Sequence, residues 1–167
     1  GKPQEEISKE ERFVGKSVIL GSGYGMGKQR FQDQLSAFGV DIDLDEADRI
    51  IKTYRLRYQY IPALWRQANR CLDALHRDQS CKLGKHPKAI RLDEGGFYLP
   101  NGMLLTYPQL EIDSEDNYSY LSRNSETKIY GGKVIENVCQ ALARCIISEQ
   151  MVEVAKKYKV ALTVHDS

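Results

Sequence analysis

The stretch Ala89-Ile-Arg-Leu-Asp-Glu-Gly-Gly-Phe-Tyr-Leu-Pro-Asn-Gly-Met-Leu-Leu-Thr-Tyr107 decides the fold class, because here helical periodicity gives way to short runs broken by turns. Glu94-Gly95-Gly96 and Asn101-Gly102 are hairpin-type turn signals, and they separate Ala89–Leu92, Phe97–Leu99 and Met103–Tyr107. Runs of this length between such turns predict a small antiparallel sheet. Upstream the pattern is helical, so the expected class is α+β: an α-helical region joined to a part built around that sheet.

Working upstream, Ser8 to Leu20 reads as a helix running into Gly21, Gly23, Gly25 and Gly27. Asp43 followed by Glu46 resembles a capping pair that starts a second helix. Its Ala47, Ile50, Ile51, Tyr54 and Tyr58 keep one apolar stripe. Pro62 is expected at the first position of a third helix, where its missing N–H costs nothing, with Leu64, Ala68, Leu72 and Leu75 inward. Downstream, Gly131-Gly132 precedes a long amphipathic helix carrying Ile135, Val138, Leu142 and Ile146 and continuing to about Lys157. An apolar strand, Val160-Ala-Leu-Thr-Val164, is expected to follow and to deliver His165-Asp166 to its tip. The best boundary lies in Gln79–Lys88, dividing residues 1–80 from residues 81–167.

At 167 residues, 41% hydrophobic and 28% charged, the composition is that of a soluble globular protein. No apolar run approaches the roughly 20 residues that span a bilayer, and the Lys- and Glu-rich start is no signal peptide. Four cysteines without framework spacing point to a reducing, cytoplasmic setting. The net charge of +1 hides a segregated pattern. Residues 31–48 hold six acids and no base, whereas Arg49 to Arg91 holds eleven Lys and Arg against Asp73 and Asp78. That basic stretch is interleaved with Tyr54, Tyr58, Tyr60 and Trp65, which suits a surface facing phosphate and equally fits ordinary solvated helix faces.

Arg12, Lys16, Leu20 and Tyr24 recur every four residues and form a slowly rotating stripe along one side of the first helix. Two cations one turn apart can grip a polyphosphate, with Arg as a planar fork and Lys as a point charge. An aliphatic and an aromatic group then continue the line as a sugar and a base would require. A solvated cationic face over a core Leu20 and Tyr24 fits the same spacing. The glycines that follow form no Walker loop, since Ser22 and Gln29 occupy positions that need Gly and a hydroxyl. The dinucleotide fingerprint fails too, because no strand precedes them. Cys71, His76, Cys81 and His86, spaced by five, suit neither a helix face nor usual zinc spacing, so packing roles are expected. His165-Asp166 at a strand tip could offer magnesium a carboxylate, although a turn Asp after a strand looks the same.

Taken together, Arg12-Phe-Val-Gly-Lys16-Ser-Val-Ile-Leu20-Gly-Ser-Gly-Tyr24-Gly25-Met-Gly27 resembles motif B, the fingers helix of family A DNA polymerases, and Val164-His165-Asp166 resembles their motif C. Tyr54-Arg-Leu-Arg-Tyr58, Leu99-Pro-Asn-Gly102 and Tyr130-Gly-Gly-Lys-Val-Ile-Glu-Asn-Val-Cys-Gln140-Ala-Leu-Ala-Arg144 resemble the phage branch. The likeness spans nearly the whole chain in the family's order. It implies fingers and part of a palm cut from a template-directed DNA polymerase that acts in replication by two-metal-ion nucleotidyl transfer. In that likeness Arg12 and Lys16 hold the triphosphate of the incoming deoxynucleotide, and Lys16 can also give a proton to the departing pyrophosphate. Leu20 lies against the sugar, where relatives often have Phe or Tyr. Tyr24 packs beside the templating position, with Gly25 allowing close approach, and Gln140 reaches the minor groove of primer–template DNA. His165 supports the primer terminus and Asp166 is a catalytic ligand of Mg2+.

Two departures qualify this. Ser167 stands where many relatives have Glu, and the aspartate that would complete a site for two magnesium ions lies outside these residues. The chain alone is therefore expected to be inactive. No processivity partner is legible. A non-catalytic nucleic-acid-binding module would explain the basic, aromatic middle, and a single-subunit RNA polymerase shares a similar fingers helix and His-Asp turn.

Overall fold

A computed structural model describes residues 2–85, 90–93 and 95–163. After a short 3-10 turn at Gln4–Glu6 come four helices, α1 (Lys9–Ser22), α2 (Lys28–Ser36), α3 (Leu44–Arg57) and α4 (Tyr60–His76). Among the described residues seven short strands follow: β1 (Cys81–Leu83), β2 (Ile90–Asp93), β3 (Gly96–Tyr98), β4 (Leu104–Leu105), β5 (Glu111–Ile112), β6 (Tyr118–Ser122) and β7 (Ser125–Ile129). The long α5 (Gly131–Ala155) comes last. The fold is α+β, with antiparallel sheets ordered β1-β2-β3-β4 and β5-β6-β7. None of the described helices is long and apolar enough to cross a membrane.

Local chemistry starts the helices. Ser8 caps α1 in a complete box: the Glu11 amide donates to Ser8 Oγ at 3.1 Å and the Ser8 amide donates to Glu11 Oε2 at 2.9 Å. At α3, Asp43 Oδ1 accepts from the Glu46 amide at 2.7 Å, while the Glu46 side chain turns to Arg49. Pro62 is the third residue of α4 rather than the first, still within the turn whose N–H groups lack helical partners. The unforeseen α2 begins directly after Gly27 and buries Phe31 and Leu35 completely.

Two apolar clusters result. Val18, Phe31, Leu35, Ala47, Ile51 and Tyr54 join α1, α2 and α3. Ala68, Cys71 and Leu72 of α4 meet Leu92 and Phe97 of the first sheet and Val134 and Val138 of α5. In β2 the burial alternates as expected for a sheet with one covered face, with Leu92 opposite Phe97. Gly96, at φ +152°, lies so close to the Leu105 carbonyl that no side chain fits. The second sheet, unforeseen from sequence, is a Tyr118–Ser122/Ser125–Ile129 hairpin flanked by β5.

Cys71 and Cys81 are free thiols with sulfurs 2.9 Å apart, and burial pushes the Cys71 thiol up. His76 instead places Nδ1 3.2 Å from the Leu110 carbonyl and its ring edge-on to Tyr118. His86 is outside the described residues.

The expected terminal strand is not formed at residues 160–163. Leu162 is 79% exposed, and no described strand pairs with this segment. An apolar β-branched run supplies propensity, but a strand also needs a ladder partner for its N–H and C=O groups. Val164, His165, Asp166 and Ser167 lie outside the described residues.

Candidate nucleotide groove

Arg12, Lys16 and Leu20 share the exposed side of α1, with Leu20 58% exposed. Among the described residues neither Arg12 nor Lys16 has a salt-bridge partner, so both charges face solvent. At 1.5 Å rise per residue, Lys16 stands about 6 Å and Arg12 about 12 Å along the axis from Leu20.

Tyr24 departs from the expected stripe because the helix ends first. The Tyr24 and Met26 amides both donate to the Gly21 carbonyl, at 3.1 and 3.2 Å, and Gly25 takes φ +91°. This turn carries Tyr24 off α1 to pack against the α4–α5 cluster. Two side chains tether it: Trp65 Nε1 donates to the Gly23 carbonyl at 3.0 Å, and Arg55 Nη2 donates to the Met26 carbonyl at 3.2 Å. The Arg55 guanidinium also lies 5.7 Å from the Trp65 ring centre, a cation–π distance. Burial pushes the Tyr54 phenol up, with Tyr58 and Tyr24 adding to the effect.

The N-terminus of α5 closes onto the same turn. The Gly131 amide donates to Asn69 Oδ1 at 2.5 Å, and a Cβ at position 131 would collide with the Trp65 carbonyl. A Cβ at Gly132 would collide with the Tyr24 carbonyl, and one at Gly25 would lie 3.2 Å from Tyr130 Cε2. Glycine is thus required by close approach between three chain segments.

Between α1 and α5 lies a groove of about 540 Å3, lined by Leu20, Tyr24, Gly25, Arg30, Lys128 and Lys133, among others. Three of these cations, Arg30, Lys128 and Lys133, escaped the sequence reading. Their elements converge only after folding, and the adjacent Tyr130-Gly-Gly is the sole local hint. Glu136 pairs with Lys133 at 2.8 Å and accepts from Gln140 Nε2 at 3.2 Å, so Gln140 continues the line along α5. The groove therefore unites Leu20, Tyr24 and Gly25. Arg12 and Lys16 lie farther along α1, Gln140 lies beyond the groove on α5, and His165 and Asp166 fall outside the described residues. No group of three potential metal ligands occurs among the described residues. A cationic rim, an aliphatic wall and a half-buried phenol give the groove the means to hold a phosphorylated nucleoside.

No known protein-family profile matches the chain, and no solved structure matches it. It is 27% identical, over 180 aligned positions, to a protein named DNA polymerase from Bacillus phage SP02. The alignment covers 98% of this chain and 28% of the relative, so the chain is related to a DNA polymerase and spans just over a quarter of that relative's length.

Proposed function

We propose that the chain is part of a family A template-directed DNA polymerase that adds deoxynucleotides to a primer 3′ end during replication. The observation that carries this reading is the cationic stripe of α1 leading into the groove at Tyr24-Gly25, within a chain related to a DNA polymerase along 98% of its length. In this reading residues 1–80 form a fingers-like region and residues 81–167 part of a palm. Helix α4, which shares its core with α5, braces the two.

Primer–template DNA and deoxynucleoside triphosphates are then the substrates. Arg12 and Lys16 hold the triphosphate in this reading, and Lys16 can also give a proton to the departing pyrophosphate. Leu20 packs on the sugar and Tyr24 beside the nascent pair, with Gly25 keeping backbone clear of the base. Gln140 reaches the minor groove from α5 and His165 supports the primer terminus. Movement of α1 over the nascent pair would exclude water and align the α-phosphate for in-line attack. Asp166 and an aspartate beyond this chain would hold Mg2+, which supplies charge neutralisation when bound. The basic helices α3 and α4 add sequence-independent phosphate contacts, so DNA binding falls steeply with salt. The protein would work in the cytoplasm of a bacterial or phage-infected cell.

Primer extension by the intact polypeptide, comparing wild type with Asp166→Asn and Lys16→Ala, tests this. Asp166→Asn should abolish templated incorporation while retaining DNA binding. Lys16→Ala should cost about 1.5–3 kcal/mol in use of the triphosphate, roughly ten- to a hundredfold in kcat/KM. Undiminished extension by Asp166→Asn would remove its metal role, and unchanged nucleotide affinity in Lys16→Ala would favour a non-catalytic binding module.

A further inference from the structure

The dithiol formed by Cys71 and Cys81 has no part in the nucleotide groove. Cys71 lies on α4 and is completely buried, while Cys81 opens β1, the outer strand of the first sheet, and is half-buried. Their sulfurs approach to 2.9 Å. Gln67, one turn before Cys71 on the same face of α4, fixes how helix and strand meet. Its Nε2 donates to the Lys82 carbonyl at 3.1 Å, and its Oε1 accepts from the Gly84 amide at 3.4 Å. The Cys71 sulfur lies 3.8 Å from that same Lys82 carbonyl. Helix and strand thus present the two sulfurs to each other as a preformed pair.

The two thiols differ in access. Burial pushes the Cys71 thiol up, with its hydrogen bond to Cys81 adding to the effect, so a reagent in bulk water meets a shielded, protonated sulfur there. Cys81 is the sulfur that such a reagent can reach. The other two cysteines lack this arrangement. Cys139 is exposed and Cys145 buried, and their spacing on α5 puts them about 9 Å apart along the axis. A disulfide joins residues whose Cα atoms are no more than about 7 Å apart.

We infer that Cys71 and Cys81 are a modification site for a low-molecular-weight disulfide, which oxidises them to an internal disulfide linking α4 to β1. The Cys81 thiolate attacks one sulfur of the small disulfide and expels a small thiolate, leaving a mixed disulfide on Cys81. Cys71 then gives up its proton and attacks Sγ of Cys81, which forms the internal bond and expels the second small thiolate. The two protein thiols are oxidised, the reagent's S–S bond is reduced, and the two protons end on the two small thiols. The product clamps α4, which shares its core with α5, to the edge of the first sheet. Excess thiol reverses it. This chemistry requires nothing of the polymerase reading.

The test equilibrates the intact polypeptide with oxidised and reduced glutathione, quenches with acid, alkylates the remaining thiols after denaturation and maps the cysteines by mass spectrometry. A parallel sample is equilibrated unfolded in urea. In the native protein Cys71 and Cys81 should be recovered as one crosslinked pair lighter by two hydrogens, with Cys145 left as a free thiol. Folding already holds these sulfurs together, whereas an unfolded chain must close a loop of about ten residues, a penalty on the order of a hundredfold. The ratio of reduced glutathione squared to oxidised glutathione at half-oxidation should therefore be at least about tenfold higher for the native protein. In Cys71→Ala, given oxidised glutathione alone, the adduct at Cys81 should persist, and continued protection of Cys145 reports that the variant is folded. Free thiols or separate adducts at both positions of the wild type, or pairing of either with another cysteine, would overturn the inference. So would equal half-oxidation ratios in the native and unfolded samples, or a folded Cys71→Ala whose Cys81 takes up no glutathione.

Discussion

Gly15 and Gly132 both lie in helices, yet alanine at the two positions should change stability in opposite directions. Alanine in a helix interior is favoured over glycine by about 1 kcal/mol. At Gly15, in the middle of α1, an added Cβ meets nothing within 4 Å, so the whole gain should be realised. At Gly132 the added methyl strikes the Tyr24 carbonyl oxygen, with the carbonyl carbon at 2.9 Å and Tyr130 Cε2 at 3.0 Å. Two of those three atoms are backbone, fixed by the Gly25 turn and the Trp65 tether, so no rotamer change relieves the contact. Overpacking of this kind costs about 3 kcal/mol at its upper end. Subtracting at most about 1 kcal/mol of helix gain leaves a net loss of about 2 kcal/mol. For a chain of this size each kcal/mol moves Tm by roughly 2–4 °C. Thermal unfolding followed by circular dichroism should therefore place Gly15→Ala about 2–4 °C above wild type and Gly132→Ala about 4–8 °C below it. Shifts of the same sign would refute the close approach of α5 to the Tyr24 turn.

Two further perturbations probe other parts of the fold. Ser8→Ala removes one half of the α1 capping box and should cost about 1 kcal/mol, read as a lower denaturant midpoint; an unchanged midpoint would mean that the first turn is already frayed. Burial, with the hydrogen bond and charge of Asp73, pushes the Tyr118 phenol up to about 12, and burial pushes Tyr107 up to about 12. In an unfolded chain both would ionise near pH 10. The folded state thus keeps more protons between about pH 10 and 12, and stability is full below that window and falls as pH rises through it. Denaturant midpoints across the window should decline less in a Tyr107→Phe/Tyr118→Phe variant, and a decline parallel to wild type would assign the alkaline loss to other groups.

What could be read from sequence follows how local the controlling physics is. Asp43 announced its helix because a cap is made within four residues, and Ser8, where the first helix was expected to begin, proves to be a cap of the same local kind. The Gly95 and Asn101-Gly102 turns announced the first sheet for the same reason. Helix α2 was hidden because Gly27 offers no side-chain cap and the preceding glycines read as a loose end. The β6–β7 hairpin turns at Arg123, which adopts φ 56° although it is not a glycine, so the usual turn signal was missing. For the site, the spacing of Arg12, Lys16 and Leu20 was legible from one helix. Arg30, Lys128 and Lys133 were not, since they reach the groove only once Gly131 and Gly132 let α5 dock beside the Tyr24 turn.

The tether of the Gly23 carbonyl by Trp65 has a mechanical side. It fixes one end of α1, and a rod fixed at one end is a lever. Leu20 sits about 4.5 Å from that fulcrum and Arg12 about 16 Å, three and eleven residues along the axis. A tilt of α1 about Gly23 therefore displaces Arg12 more than three times as far as Leu20. Contacts near the turn would stay in register through such a swing, and the far guanidinium would travel most.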